Sequence, residues 1–141
     1  MVYHNHDSEL KTITVNGKAM SVLDYFLDQA GPDVMLQIDI GWAAVLADEV
    51  EVVKKYRDRL VSIHLKDMYD GYCNYDARTM PTEMFAPIGN GCVKTAEVLA
   101  LLEQLPLVED RLIIDQDKSA GDMLQDLKIG CSNIRKMLKV N

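Results

Sequence analysis

Two short apolar segments decide the fold: VMLQIDI at residues 34–40 and LVSIHL at residues 60–65. Each is a nearly continuous apolar run, which is typical of a parallel strand that is buried on both faces. Between them, apolar residues such as Val45 and Val53 recur at helical spacing and predict helical structure from about 43 to 57. Strands separated by amphipathic helices run parallel, because each helix returns the chain across the sheet.

The same strand-and-helix unit recurs on both sides of this pair. The other predicted elements are a truncated strand at 2–3, helices at about 21–30, 95–105 and 122–139, a strand at 111–115 and a long loop at 66–93. The pattern predicts an α/β fold of about four parallel βα units in a single domain, residues 1–141. In such folds, ligands bind at the C-terminal ends of the strands.

Composition narrows the class of protein. The chain has 141 residues, 48% of them hydrophobic, and 15 Lys and Arg against 22 Asp and Glu give a formal net charge of −7. The acidic balance argues against a nucleic-acid surface, including that of a DNA repair enzyme, because phosphate binding needs clustered basic residues. No run of about 18 apolar residues predicts a membrane span. The first ten residues, MVYHNHDSEL, lack the apolar core of a signal peptide. The three cysteines form no CxxC pair and predict no disulfide framework, so we expect a reducing, cytoplasmic setting.

Each predicted strand ends in a side chain that can bind a metal ion. These are His4 or His6, Asp39, His64 and Asp115. Neighbouring parallel strands lie about 4.8 Å apart, so residues at their ends can converge on one ion. A lone histidine or aspartate has a simpler interpretation as a rim residue or a helix cap, but four at equivalent positions favour a shared site. Imidazole and carboxylate together suit Mn²⁺, Co²⁺, Zn²⁺ or Mg²⁺.

Three nearby residues are candidate substrate contacts. Lys66 follows His64 closely and would hold a substrate hydroxyl, carbonyl or phosphate, the alternative being a solvated residue on the rim. Trp42 offers an apolar wall for a sugar ring, unless it is simply packed in the core. Asn5 lies between the two histidines, where it would orient them or contact substrate, or serve as a turn residue.

Five motifs carry a resemblance to a known family. They are YHNHD at 3–7, IDIGW at 38–42, HLKDM at 64–68, PIGNG at 87–91 and IDQD at 114–117. In this order they resemble the sugar phosphate isomerase/epimerase family, whose members are xylose isomerase-like TIM barrels. The resemblance covers nearly the whole chain, but only the C-terminal half of the family's barrel, strands five to eight.

The resemblance implies a divalent metal at the mouth of a (β/α)₈ barrel and a role in carbohydrate metabolism. Asp39 and His64 match the family's ligands directly, whereas a histidine and Asp115 stand where relatives have glutamates. The implied reaction is isomerisation, epimerisation or dehydration of a small sugar, keto-sugar or sugar phosphate, by proton abstraction next to a carbonyl through a metal-stabilised enediolate. Asp115 and His6 are then the acid/base candidates.

The length adds an expectation about partners. A complete barrel needs about 250 residues, and half a barrel leaves strand edges exposed. We therefore expect either a homo-oligomer or a partner chain that supplies the N-terminal half of the barrel. The alternative is a truncated, non-catalytic half-barrel.

Overall fold

The computed structural model describes residues 1–72, 81–103 and 111–139. Numbered in chain order, its strands are β1 Val2–His4, β2 Thr12–Val15, β3 Lys18–Ser21, β4 Met35–Asp39, β5 Leu60–Leu65, β6 Asp67–Met68, β7 Phe85–Ala86 and β8 Leu112–Ile114. Its α-helices are α1 Val22–Ala30, α2 Ile40–Leu46, α3 Glu49–Tyr56, α4 Thr95–Leu102 and α5 Met123–Met137.

The centre of the molecule is a four-stranded parallel sheet in the order β1-β4-β5-β8. Its register pairs His4 with Gln37, and Asp39 with His64. Helical structure follows each of the four strands, so the predicted α/β fold of about four parallel βα units is confirmed. The hairpin of β2 and β3 is inserted between β1 and α1.

The hydrophobic core lies between the sheet and the helices. Leu36 and Ile38 of β4 and Ile63 of β5 are fully buried, as are Leu23 of α1 and Val98 of α4. Because side chains alternate along a strand, the intervening residues lie on the opposite face of the sheet. The metal-ligand candidates on β1, β4 and β5 therefore lie on the face that the helices do not cover.

Local capping explains where α1 begins and ends. The hydroxyl of Ser21 accepts a hydrogen bond from the backbone N–H of Asp24, and the Asp24 carboxylate accepts one from the N–H of Ser21. This capping box makes Ser21 the N-cap of α1. At the other end Gly31 adopts a φ of +84°, which favours glycine, and its N–H donates to the carbonyl of Leu27.

Two predicted elements differ from the structure. Instead of one helix over 43–57 there are two, α2 and α3, because Asp48 accepts hydrogen bonds from the N–H groups of Val50 and Glu51 and starts a new helix. The predicted loop at 66–93 contains the antiparallel pair of β6 and β7. Its residues 73–80, and the end of the helix predicted to reach 105, lie outside the described residues.

A membrane-spanning helix would have to be both long and apolar. Within the described ranges no helix meets both conditions.

Candidate metal-binding site

Four predicted ligands come together at the C-terminal ends of the parallel strands. His4, Asp39, His64 and Asp115 each offer one ligand atom, and these atoms all lie within 4.8 Å of one another. Sheet register produces this convergence, because Asp39 and His64 are paired across β4 and β5. Asp115 follows β8 directly, and its backbone N–H donates to the carbonyl of Leu65. The cluster is therefore a product of parallel pairing.

The shortest contact within the cluster joins a histidine to a carboxylate. Nδ1 of His64 lies 2.9 Å from Oδ2 of Asp115 and 4.0 Å from Oδ2 of Asp39. On the other side, Nε2 of His4 lies 3.9 Å from the same Asp39 oxygen, and the rings of His4 and His64 are 4.5 Å apart. Two imidazoles and two carboxylates thus surround a small volume, a donor set that a divalent metal can accept.

The ammonium group of Lys66 already lies inside this acidic cluster. Its Nζ is 3.1 Å from Asp39 Oδ2, 3.0 Å from Asp115 Oδ2 and 2.6 Å from Asp117 Oδ2. The side chain is only 2% exposed, so the alternative of a solvated residue on the rim is wrong. Asp117 belongs to the quoted IDQD motif, but sequence reasoning gave it no role. A second carboxylate, two residues after Asp115, was the available signal.

Glycine at position 41 gives the lysine its path into the cluster. A Cβ at Gly41 would lie 2.7 Å from both Cβ and Cγ of Lys66, closer than real side chains approach. The ammonium ends 5.0 Å from the centre of the Trp42 ring, which is a cation–π distance. The sequence Gly41-Trp42 therefore provides both the space and the aromatic surface for Lys66.

Asp39 is the most buried member of the cluster and also caps α2. Its Oδ1 accepts a hydrogen bond from the N–H of Trp42, whereas Oδ2 has no hydrogen-bond partner of acceptable geometry within the described residues. The contact of Oδ2 with Lys66 is thus an ion pair rather than a hydrogen bond. Burial raises the pKa of Asp39 to about 6, although the charge of Lys66 opposes that shift. Oδ2 of Asp39 is thus the atom of the cluster that is placed to bind a cation, and Lys66 supplies that cation in this structure.

The pKa values of Asp115 and His4 are both lowered, in contrast to that of Asp39. Partial burial tends to raise the pKa of Asp115, but hydrogen bonds and charges from Lys66 and His64 outweigh it and hold that pKa below its usual value. Burial, followed by the charges of His64, His6 and Lys66, lowers the pKa of His4. At neutral pH His4 therefore favours its uncharged form, which is the form that binds metals.

The remaining predicted site residues lie around the cluster. His6 is exposed, and its ring centre is 5.1 Å from that of His4 and 5.7 Å from that of Trp42. Of the two alternatives for the ligand on β1, the geometry brings His4 into the cluster. Trp42 is 1% exposed, so it is packed in this structure and not open to a sugar ring.

Asn5 joins the ends of two strands. It is fully buried, and its amide accepts a hydrogen bond from the N–H of Asp39 and donates to the carbonyls of Asp39 and His6. These contacts fix the backbone that carries the central carboxylate. Of the roles considered for Asn5, positioning is the one that its contacts support.

Asp67 organises the loop beside the cluster and had no predicted role. Its buried carboxylate accepts hydrogen bonds from the backbone N–H groups of Met68, Gly89, Gly91 and Val93. The N–H groups of the two glycines in the PIGNG motif are thus used by Asp67. A Cβ at Gly91 would collide with Asp67, which explains glycine at that position.

Comparisons with known proteins agree with this architecture. No protein-family model matches the chain, and no curated protein matches it in sequence. Among solved structures, it is similar to a sugar phosphate isomerase/epimerase from Parabacteroides distasonis, with 20% identity and a TM-score of 0.62, over 96% of this chain and 44% of that one.

Two further structures give the same result. A xylose isomerase domain protein from Planctomyces limnophilus is 19% identical with a TM-score of 0.64, over 84% of this chain and 41% of that one. A D-tagatose 3-epimerase-like protein is 21% identical with a TM-score of 0.61, over 85% and 40%. The chain thus spans less than half the length of the structures it matches. At these identities the comparisons show a fold, which is part of a xylose isomerase-like barrel.

Proposed function

We propose that this chain is part of a metal-dependent sugar or keto-sugar isomerase or epimerase. One observation carries the proposal: His4, Asp39, His64 and Asp115 converge at the ends of parallel strands. Proteins of this fold include a sugar phosphate isomerase/epimerase and a D-tagatose 3-epimerase-like protein. Active sites of such barrels lie at the same ends of the strands.

The four converging residues would hold the metal, which we expect to be Mn²⁺, Co²⁺, Zn²⁺ or Mg²⁺. When bound, a divalent metal supplies Lewis-acid stabilisation of negative charge that develops on a substrate carbonyl oxygen. Oδ2 of Asp39, which lies within 4.0 Å of both His4 and His64, supports this assignment, as does the tendency of His4 to be uncharged. Binding would require Lys66 to move away from Asp39 and Asp115, while Asp117 could keep the ammonium close by.

The chain's own residues would then move the protons. Asp115 would remove the proton from the carbon next to the carbonyl through the carboxylate oxygen that is not bound to the metal, since its carboxyl group is ionised at neutral pH. His6, exposed beside His4, would return a proton on the other side of the substrate. Lys66 would donate hydrogen bonds to a substrate hydroxyl from its place beside Asp117.

A second candidate function follows from the same lysine. The ammonium of Lys66 lies within 3.1 Å of three carboxylates and supplies the positive charge that a metal would otherwise bring. This arrangement favours a half-barrel that folds without metal and has no catalytic activity of its own.

Metal binding by purified variants distinguishes the two candidates. We expect the wild-type chain to bind about one Mn²⁺ or Co²⁺ per site in calorimetry, and Asp39→Ala and His64→Ala to abolish binding. The matched control is His6→Ala, which removes an imidazole outside the cluster and should keep the metal but lose turnover of keto-sugars. Unchanged metal content in Asp39→Ala would overturn the ligand assignment. Metal-loaded wild-type protein without turnover would favour the second candidate.

A further inference from the structure

We propose that Asp117 is a positioning residue, which keeps the ammonium group of Lys66 in the site when a divalent metal takes the carboxylates of Asp39 and Asp115. This role rests on the proposed function, because it concerns the metal-loaded site. It goes further in one respect: the lysine and the metal occupy the site together, whereas simple competition would expel one of them. Asp117 suits the role because it lies outside the four converging residues and still contacts the ammonium.

The contacts of Lys66 with its three carboxylates are not equivalent. Its Nζ donates a hydrogen bond of 2.6 Å to Oδ2 of Asp117. The distances to Oδ2 of Asp39 and of Asp115 are longer, 3.1 and 3.0 Å. Those two oxygens also lie 4.0 and 2.9 Å from Nδ1 of His64, inside the ligand cluster. The shortest contact of the ammonium is therefore the one that metal binding would leave intact.

The charges of the site balance when both cations are present. Three ionised carboxylates and one ammonium leave the metal-free set with two excess negative charges, the imidazoles being uncharged as metal binding requires. A divalent metal neutralises this excess while Lys66 is still present. Without Asp117, two carboxylates would face three positive charges, and repulsion would favour the loss of one cation. Asp117 thus carries the negative charge that allows both cations to stay.

The packing of the lysine permits only a short displacement. Cβ and Cγ of Lys66 lie where a side chain at Gly41 would otherwise be, so the first part of the lysine side chain is held in place. The ammonium can leave Asp39 only by rotation about the last bonds of its own side chain. The side chain of Asp117 is 39% exposed and that of Asp39 is 0% exposed, so this rotation moves the ammonium toward solvent, the side from which a substrate enters.

The spacing of the two aspartates in the IDQD motif fits this division of roles. The backbone N–H of Asp115 donates to the carbonyl of Leu65, which holds the ligand candidate at the end of β5. Asp117 follows two residues later, and its carboxylate reaches the same ammonium from a more exposed position. One short segment therefore provides a ligand for the metal and a separate partner for Lys66.

A double-mutant cycle, measured by calorimetric titration with Mn²⁺, tests the role of Asp117. Asp117→Asn should weaken Mn²⁺ binding by about tenfold or more, because the ammonium then stays with Asp39 and Asp115. In the Lys66→Met background the loss caused by Asp117→Asn should be at least about fivefold smaller, which is the coupling expected of two groups in direct contact. Asp117→Glu keeps a carboxylate within reach of the lysine and should restore most of the affinity.

The matched control removes the same charge elsewhere. Asp58 lies beyond the other end of β5 and is 91% exposed, so Asp58→Asn should leave Mn²⁺ affinity unchanged. Equal losses from Asp117→Asn in the two backgrounds would mean that Asp117 attracts the metal directly, and would overturn its role while the proposed function stands. Unchanged affinity in Asp117→Asn would overturn the role in the same way. No Mn²⁺ binding by the wild type or by Lys66→Met would overturn the proposed function and the role together.

Discussion

The ammonium of Lys66 lies 3.1 Å from the buried carboxylate oxygen of Asp39, in the place where a bound cation would be expected. Lys66 also contacts Asp115 and Asp117, so its ammonium group lies among three carboxylates. Burial and the three carboxylates act in opposite directions on the lysine, and the carboxylates prevail, so the pKa of Lys66 is raised above its usual value. The lysine is therefore a permanent positive charge that competes with metal for the same oxygens.

Replacing Lys66 by methionine should lower the stability of the metal-free protein and raise its affinity for metal. Without metal, Lys66→Met leaves the Asp39 charge buried and unpaired, which should lower the free energy of unfolding by about 3 kcal/mol. With Mn²⁺ present the loss should shrink, and the metal should bind more tightly than to wild type. Urea denaturation and calorimetry measure both effects. The control is Lys94→Met, which removes an exposed 2.6 Å pair with Asp48 and should cost less than about 1 kcal/mol. No gain in metal affinity would contradict the competition.

Asp39 should make the stability of the metal-free protein depend on pH. Its pKa is raised from 3.8 to about 6 by burial, so the folded state holds a proton that the unfolded state releases earlier. The free energy of unfolding should therefore fall as pH rises from about 4 to about 6, by about 1 to 3 kcal/mol. Asp39→Asn keeps an acceptor for the N–H of Trp42 but cannot ionise. Urea denaturation across this range should show a flatter profile for the variant; parallel profiles would refute the assignment.

Asp67 should be essential for the stability of the loop at residues 89–93. Asp67→Asn replaces a carboxylate that accepts four backbone hydrogen bonds with an amide that can accept through one oxygen only. Buried N–H groups would lose their acceptor, so we expect a loss of about 3 kcal/mol in thermal or urea unfolding. Asp70→Asn is the control, because Asp70 is exposed and, among the described residues, accepts only from the N–H of Gly71. Equal losses for the two variants would show that Asp67 has no special role.

The capping box of α1 gives a smaller, local prediction. Ser21→Ala removes the acceptor for the N–H of Asp24 and should lower the free energy of unfolding by about 1 kcal/mol. Ser8→Ala removes an exposed hydroxyl that contacts Glu9 and should change stability by less than about 0.5 kcal/mol. Differential scanning calorimetry of the two variants checks the difference. If Ser21→Ala left the free energy of unfolding unchanged, tertiary contacts alone would define the start of the helix.

Sequence patterns predicted the parts of this fold that depend on local order. The parallel strands could be predicted because buried apolar runs alternate with amphipathic helices. The approach of Asp39 to His64 followed, since residues that end neighbouring parallel strands lie side by side. The break between α2 and α3 was missed because Asp48 acts there through its side chain, against a continuous apolar pattern.

The interior of the site was less predictable because it depends on long side chains and distant loops. Lys66 follows a strand, and nothing in its neighbours indicates that its ammonium reaches Asp117, 51 positions further along the chain. The acceptor role of Asp67 likewise depends on N–H groups 22 to 26 positions away. The metal ion and the acid/base roles of Asp115 and His6 stay predictions until binding and turnover are measured.

The close approach of Gly41 to Lys66 has an evolutionary consequence. Any side chain at position 41 would occupy the volume that the lysine's methylene groups fill. Drift at these two positions should therefore be concerted: lineages that keep the lysine should keep the glycine, and an alanine or serine at 41 should be accompanied by a shorter residue at 66. Such paired replacement would identify descendants that have lost the buried ammonium group of Lys66.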